Sequence, residues 1–154
     1  MTDYIAFLRG INVGKTNRIR MEKLKEVFES IGCSRVETVL QSGNVLFGSD
    51  QPEEIIVSAA ESALWSSTGI QTSVILRSAK ELAQTISGMP FTAEQLAQAN
   101  IAQPDFEHLY VCFASGSPKN SLLSSPDNAS LPEDECRIVQ RDAYLLLRQS
   151  IRTS

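Results

Sequence analysis

The residues best suited to chemistry lie in one short segment that is rich in arginine, lysine and asparagine. It spans residues 9–20, RGINVGKTNRIR, and follows a run of apolar residues. Guanidinium groups bind phosphate and carboxylate through paired hydrogen bonds, so this composition predicts a site for a small anion. The predicted ligand residues here are Arg9, Asn12, Lys15, Arg18 and Arg20. The alternative is a set of solvated loop charges, with Arg9 paired to a local carboxylate.

A second polar cluster is the sequence Gln41-Ser42-Gly43-Asn44, which separates two apolar runs. Glycine supplies the positive φ of a hairpin turn, so ordinary turn chemistry is one explanation of this cluster. The other is that Gln41, Ser42 and Asn44 belong to the predicted ligand site. The sequence alone does not place this turn beside residues 9–20.

Other kinds of site fit less well. A nucleotide-binding phosphate loop needs four residues between its glycines, whereas Gly10 and Gly14 have three, and the following helix is predicted to begin only near Met21. His108 is the single histidine and is interpreted as structural, so neither a multi-histidine metal site nor a cofactor is predicted. We interpret Cys33 and Cys112 as packing residues.

Charge is distributed unevenly along the chain, whose net charge is −4. Residues 1–25 carry six basic and two acidic side chains, whereas residues 26–136 carry four basic and fifteen acidic ones. A uniformly basic nucleic-acid-binding protein is therefore not indicated, but a local anion site is compatible with this pattern. An RNA-binding sheet needs exposed aromatic residues on adjacent strands. Phe7 and Phe47 are the candidate aromatic residues, but the sequence lacks the glycine-aromatic signature of RNA-binding sheets.

Composition also suggests where the protein works. The cysteines are three in number and far apart, which favours reduced thiols in the cytoplasm over a disulfide framework. No apolar run approaches the roughly 20 residues of a membrane span, and the first residues lack the pattern of a secretory signal. We therefore predict a cytoplasmic protein without a membrane partner. The oligomeric state is not predicted.

The basic segment is expected to sit in a small α+β domain that spans residues 1–77. Residues 4–13 are almost continuously apolar and predict a central strand covered on both faces. A helix follows from Met21 to a stop at Gly32, and strands 36–41 and 44–47 form a hairpin. Asp50 is predicted to cap a second helix whose apolar stripe includes Ile55, and strand 72–77 follows it. This β-α-β-β-α-β order is typical of a ferredoxin-like unit.

A smaller α+β unit is predicted over residues 78–154, packed on the sheet of the first. Capping boxes start two helices, at Ser78 and at Thr92, and Leu82 and Ile86 are predicted to face inward from the first of them. A strand at 108–114 and a hairpin that turns at Arg141-Asp142 complete this unit.

Three motifs resemble the bacterial family called domain of unknown function 1697. They are FLRGINVG at residues 7–14, RIRM at residues 18–21 and QSGNV at residues 41–45. The resemblance implies a two-part α+β protein with ferredoxin-like topology and implies no activity. The positions it emphasises are Arg9, Gly10, Asn12, Gly14, Met21, Gln41, Ser42, Gly43 and Asn44.

The chain departs from the family pattern in two ways. Lys15 stands where members usually have a second glycine, and members continue past the final hairpin into another helix-forming segment. Whether the second unit is complete, or is truncated at its C-terminus, therefore stays open.

Three functions follow as hypotheses. The first is the binding of a small anionic ligand at residues 9–20. The second is an enzyme that acts on a small phosphorylated or carboxylate substrate, which would require a titratable group of shifted pKa in a pocket beside these residues. The third is contact with RNA, which we favour least.

Overall fold

The structure, a computed structural model, describes residues 1–116 and 134–148. In chain order its elements are β1 (Thr2–Leu8), α1 (Met21–Ser30), β2 (Ser34–Val39), β3 (Asn44–Ser49), α2 (Glu53–Thr68), β4 (Val74–Ser78), α3 (Ala79–Ser87), α4 (Ala93–Ala102), β5 (Leu109–Phe113), β6 (Glu135–Val139) and β7 (Asp142–Leu146). The chain divides into two compact units, Met1–Gln84 and a second that starts at Thr85. Within the described ranges, no helix is both long enough and apolar enough to cross a bilayer.

The first unit contains a four-stranded antiparallel sheet in the order β2-β3-β1-β4. This order confirms the predicted ferredoxin-like topology, with β1 in a central position. The strand itself is shorter than predicted and ends at Leu8 rather than near Val13. Gly10 and Asn12 both adopt positive φ, +67° and +53°, and this conformation cannot continue a strand. Ile11 is nevertheless 2% exposed and joins the core from the loop.

Two helices pack on one face of this sheet and bury its apolar side chains. Phe28 of α1 is fully buried, and its ring centroid lies 5.2 Å from that of Phe47 in β3. Phe47 is therefore a core residue and not part of an exposed aromatic surface. Phe47 pairs with Tyr4 in the ladder, whereas Phe7 lies three positions after Tyr4 and pairs with Asn44, so Phe7 lies on the opposite face of the sheet from Phe47.

The helix boundaries agree with the sequence signals, but two details of α2 do not. The helix ends at Gly69, which takes φ +71° as predicted for a C-terminal stop. Asp50 does not cap it, because Pro52 occupies the N-cap position and the Asp50 carboxylate instead pairs with the N-terminal ammonium at 2.8 Å. Ile55 is 54% exposed, since the buried stripe runs through Ile56, Ala60 and Leu64.

The second unit contains α4 and a three-stranded sheet in the order β5-β7-β6. Its core combines Tyr144 and Leu146 of β7 with Phe91 and Ala99. The hairpin turns at Gln140-Arg141, one residue earlier than predicted, because Gln140 takes φ +55° and Asp142 already pairs with Val139. Both predicted capping boxes are present.

Two residues that were predicted to be packed in these elements, Ile86 and Cys112, are exposed. Ile86 is 69% exposed, and Thr85 is the buried residue of α3. The Thr85 hydroxyl donates to Asp142 Oδ2 at 2.6 Å, and the Tyr144 hydroxyl donates to the Thr85 carbonyl at 2.6 Å. The buried side chain of α3 is therefore a hydrogen-bonded threonine and not the isoleucine that helical spacing predicted. Cys112 is exposed rather than packed, because it lies on the face of the sheet away from Tyr144.

His108 has a structural position. It is 4% exposed, and its ring nitrogens lie 2.7 Å from the Leu147 carbonyl oxygen and 2.8 Å from the Gln103 carbonyl oxygen. The ring thus connects the residue after α4 to the residue after β7.

Alkaline pH is expected to destabilise the fold. Burial raises the pKa of the Cys33 thiol from 9.0 to about 11, and burial together with the Asp142 carboxylate raises the pKa of Tyr144. The folded chain keeps these protons where the unfolded chain loses them, so stability is complete below about pH 9 and falls toward about pH 11. For Cys33, the loss corresponds to about 3 kcal/mol.

Urea unfolding at neutral and alkaline pH measures this loss. Cys33→Ala should lessen the fall in stability, because the shifted thiol is gone, whereas Cys112→Ala removes an exposed thiol and serves as the control. An equal fall in the wild type and Cys33→Ala would contradict the assignment.

Candidate functional site

The loop after β1 and the turn between β2 and β3 lie side by side. The Leu8 amide donates to the Gly43 carbonyl at 3.0 Å, and Asn12 Nδ2 donates to the Gln41 carbonyl at 2.8 Å. The two polar clusters identified in the sequence therefore form one continuous region.

Asn12 holds the loop in shape. Its Nδ2 also donates to the Ile19 carbonyl at 3.0 Å, and its Oδ1 accepts the Ile19 amide at 2.9 Å. Asn17 adds a bond from its Nδ2 to the Gly10 carbonyl at 3.1 Å. Both amide donors of Asn12 are thus used by the backbone, so its main role is to brace the loop rather than to donate to a ligand.

One cleft forms where this loop meets the start of α1. We call it the Arg20 cleft; its volume is about 500 Å³, and it is lined by Asn12, Arg18, Ile19, Arg20, Met21, Glu22 and Gln41. The N-cap residue Arg20 supplies no side-chain cap to α1. The first helical hydrogen bond runs from the Leu24 amide to the Arg20 carbonyl at 3.0 Å. Among the described residues, the three preceding amides, 21–23, have no hydrogen-bond acceptor.

The basic side chains of the loop are exposed and unpaired. None of Arg9, Lys15, Arg18 and Arg20 forms an ion pair with a carboxylate in residues 1–116 or 134–148. The neighbouring cations behave differently, since Lys23 pairs with Glu26 and Lys25 pairs with Glu29. The proposed pairing of Arg9 with a local carboxylate is therefore wrong for the described chain.

The structure does not gather all the predicted ligand residues. Arg18, Arg20, Asn12 and Gln41 share the Arg20 cleft. Arg9 lines a separate cleft of about 710 Å³ beside Trp65, which we call the Trp65 cleft. Lys15, Ser42 and Asn44 line neither cleft, and Asn44 Nδ2 donates to Ser42 Oγ at 3.3 Å within the turn.

The predicted ligand residues did not include three residues that line the Arg20 cleft, Ile19, Met21 and Glu22, although the family resemblance emphasised Met21. The signal was present, because the predicted helix start at Met21 directly follows Arg20 and a helix N-terminus attracts anions. Glu22 opposes the binding of an anion at this site, because its own carboxylate already lies in the first turn of α1.

The side chains with clearly raised pKa values do not line this cleft. Burial raises the pKa of Cys33, Cys136 and Tyr144, and Cys33 and Tyr144 belong to the cores of their own units. Among the described residues, no group of three or more histidine, cysteine or acidic side chains is arranged to hold a metal ion. The arrangement supports electrostatic binding more directly than proton transfer.

Comparisons with known proteins agree with this fold. No curated protein matches the chain. The solved structure of the conserved bacterial protein SP0830 from Streptococcus pneumoniae is similar, with a TM-score of 0.73 and 20% sequence identity over 96% of this chain and 77% of that one. At that identity the likeness shows the fold alone. The sequence profile described as "Protein of unknown function (DUF1697)" matches residues 1–144. The chain therefore belongs to the DUF1697 family, which confirms the family predicted from the sequence.

Proposed function

We propose that the protein binds a small phosphate- or carboxylate-bearing molecule in the Arg20 cleft. The observation that carries this proposal is the combination of two unpaired guanidinium groups, Arg18 and Arg20, with an uncapped helix N-terminus. Both features favour negative charge, and they share one cleft. Surface cations without an ion pair are common, but these two directly precede the free backbone amides of residues 21–23.

The expected strength of binding follows from these contacts. A hydrogen bond to a charged group contributes about 1.5–3 kcal/mol, and a helix terminus contributes about 0.3–1 kcal/mol. Glu22 offsets part of this attraction. Two arginine contacts and the helix N-terminus then give about 4 kcal/mol, which corresponds to a millimolar Kd for inorganic phosphate. A ligand with further polar groups for Gln41 would bind more tightly.

A thermal-shift titration with phosphate, sulfate and citrate tests the proposal. A ligand at about a hundred times its Kd stabilises the fold by about 2.7 kcal/mol, which raises Tm by roughly 5–10 °C for a chain of this size. Sodium chloride at matched ionic strength controls for general salt effects. Arg18→Ala and Arg20→Ala should each weaken binding about tenfold.

Two further variants sharpen this test. Glu22→Gln should tighten binding severalfold, because it removes the opposing charge while keeping the side-chain shape. Lys80→Ala removes an exposed cation of α3 that does not line the Arg20 cleft, so it is the matched control. Equal Tm shifts in the wild type, Arg18→Ala and Arg20→Ala would reject the site.

The other two hypotheses receive less support. Catalysis on a phosphorylated or carboxylate substrate needs a proton donor or acceptor in the cleft, and within residues 1–116 and 134–148 the one carboxylate that lines it is the exposed Glu22. RNA binding by the sheet loses one of its two aromatic candidates, since Phe47 is 3% exposed. For location, the three free cysteines favour the reducing cytoplasm of a bacterium, which we retain as part of the proposal.

A further inference from the structure

The Trp65 cleft contains features that anion binding does not explain. Its volume of about 710 Å³ lies in the usual range of small-molecule sites. It forms where the end of β1, the second half of α2 and the segment before β4 meet. The aromatic, charged and polar residues that line it include Arg9, Glu61, Ser62, Trp65, Gln71 and Thr72.

Trp65 offers a large flat surface to this cleft. It lies near the end of α2 and is 59% exposed, whereas Ile56, Ala60 and Leu64 of the same helix are buried. Its indole has no hydrogen bond or ring contact within the described chain. An exposed aromatic face stacks readily on a flat or ring-shaped ligand, and the indole N–H adds a donor at its edge.

The polar wall of the cleft is held in place by hydrogen bonds. The Thr72 hydroxyl donates to the Arg9 carbonyl at 2.5 Å, and the Arg9 amide donates to the Ser73 carbonyl at 3.2 Å. Glu61 Oε1 accepts the Val74 amide at 2.9 Å, which holds that carboxylate in the lining of the cleft. These bonds reduce the entropy that a ligand would otherwise lose in ordering the wall.

The charges of the cleft select a neutral ligand. The lining of this cleft carries one positive charge, on Arg9, and one negative charge, on Glu61, so it lacks the excess positive charge of the Arg20 cleft. Arg9 and Gln71 are hydrogen-bond donors, whereas Glu61, Ser62 and Gln71 are acceptors. A ring that carries several hydroxyl groups uses both kinds of partner, and its C–H face packs on an indole.

We propose that the Trp65 cleft binds a neutral pyranose sugar, stacked on Trp65, with its hydroxyl groups bonded to Arg9, Glu61 and Gln71. A phosphate-bearing ligand would be repelled by the Glu61 carboxylate, and a purely apolar ligand would displace water from Arg9 and Glu61 without replacing its hydrogen bonds. This site is independent of the proposed anion site, because Arg9 lines a different cleft from Arg18 and Arg20.

The single tryptophan makes the test specific, because the chain has one indole N–H signal in a heteronuclear NMR spectrum. The full chain is titrated with methyl β-D-glucopyranoside, methyl β-D-galactopyranoside and N-acetyl-D-glucosamine, each to about 50 mM, which detects a Kd of about 10 mM. We expect at least one of these sugars to shift the Trp65 signal saturably. Inorganic phosphate is the comparison ligand and should leave that signal in place.

Matched variants then locate the binding. Arg9→Ala and Gln71→Ala should each weaken the titration at least fivefold, whereas Lys80→Ala should not change it. The amide spectrum of each variant shows whether its fold is retained. Absence of a saturable shift with all three sugars, a shift with phosphate alone, or a shift that survives both Arg9→Ala and Gln71→Ala would overturn the proposal.

Discussion

Replacing Gly43 with alanine is expected to destabilise the protein by about 2–4 kcal/mol. A Cβ at this position would lie 2.5 Å from Ile11 Cδ1 and 2.7 Å from Ile11 Cγ1. Ile11 is 2% exposed, so its side chain has little room to move away, and forced repacking of a core costs about 1–3 kcal/mol. The φ of +92° adds about 1–2 kcal/mol for any residue that carries a Cβ.

Gly32 provides a matched control for this variant. It also has positive φ, +89°, but a Cβ there would meet no atom within 4 Å. Gly32→Ala should therefore cost only the backbone term. Urea unfolding of both variants isolates the contact between Gly43 and Ile11. Equal destabilisation would show that the β2–β3 turn does not pack on the loop after β1.

Removal of the Asn12 side chain should have a comparable effect. Asn12→Ala is expected to cost about 2–4 kcal/mol, because it removes three hydrogen bonds and leaves the Ile19 amide, the Ile19 carbonyl and the Gln41 carbonyl without these partners. Alanine is also disfavoured at the Asn12 φ of +53°. The same change should weaken phosphate binding, because Arg18 and Arg20 flank Ile19.

Two substitutions at Asn12 separate these contributions. Asn12→Gly removes the hydrogen bonds but accepts the positive φ, so it should be more stable than Asn12→Ala by about 1 kcal/mol. Asn12→Asp keeps the acceptor for the Ile19 amide but turns an acceptor toward the Ile19 and Gln41 carbonyls. Chemical denaturation ranks the three. An Asn12→Asp protein as stable as the wild type would contradict the described bracing.

The sequence predicted the first unit well because local signals and topology agreed there. Apolar periodicity and the glycines at positions 32, 43 and 69 marked where the elements end. The predictions of burial were wrong where more than one face of a helix could have packed on the rest of the protein. Ile55 and Ile86 fit a helical stripe by spacing, but the packing partner decides which of two adjacent stripes is buried, and that partner is remote in sequence.

The candidate site was predictable in composition but not in arrangement. The arginines and asparagines of residues 9–20 were visible, whereas the bond between Asn12 and Gln41 joins residues 29 positions apart. The positive φ values at Gly10 and Asn12 turn the chain so that Arg9 and Arg20 line different clefts. Residues that are close along the sequence were therefore separated, and remote residues were brought together.

The most direct measurement of the central claim is a heteronuclear NMR titration of the full chain with inorganic phosphate at constant ionic strength. If the anion sits at the Arg20 cleft, the backbone amides of Met21, Glu22 and Lys23 should shift saturably, because they are the free donors at the start of α1. The Arg20→Ala protein should show these shifts only at about tenfold higher phosphate. Shifts that spread over all exposed cations without saturation, or that leave residues 21–23 unchanged, would contradict the account.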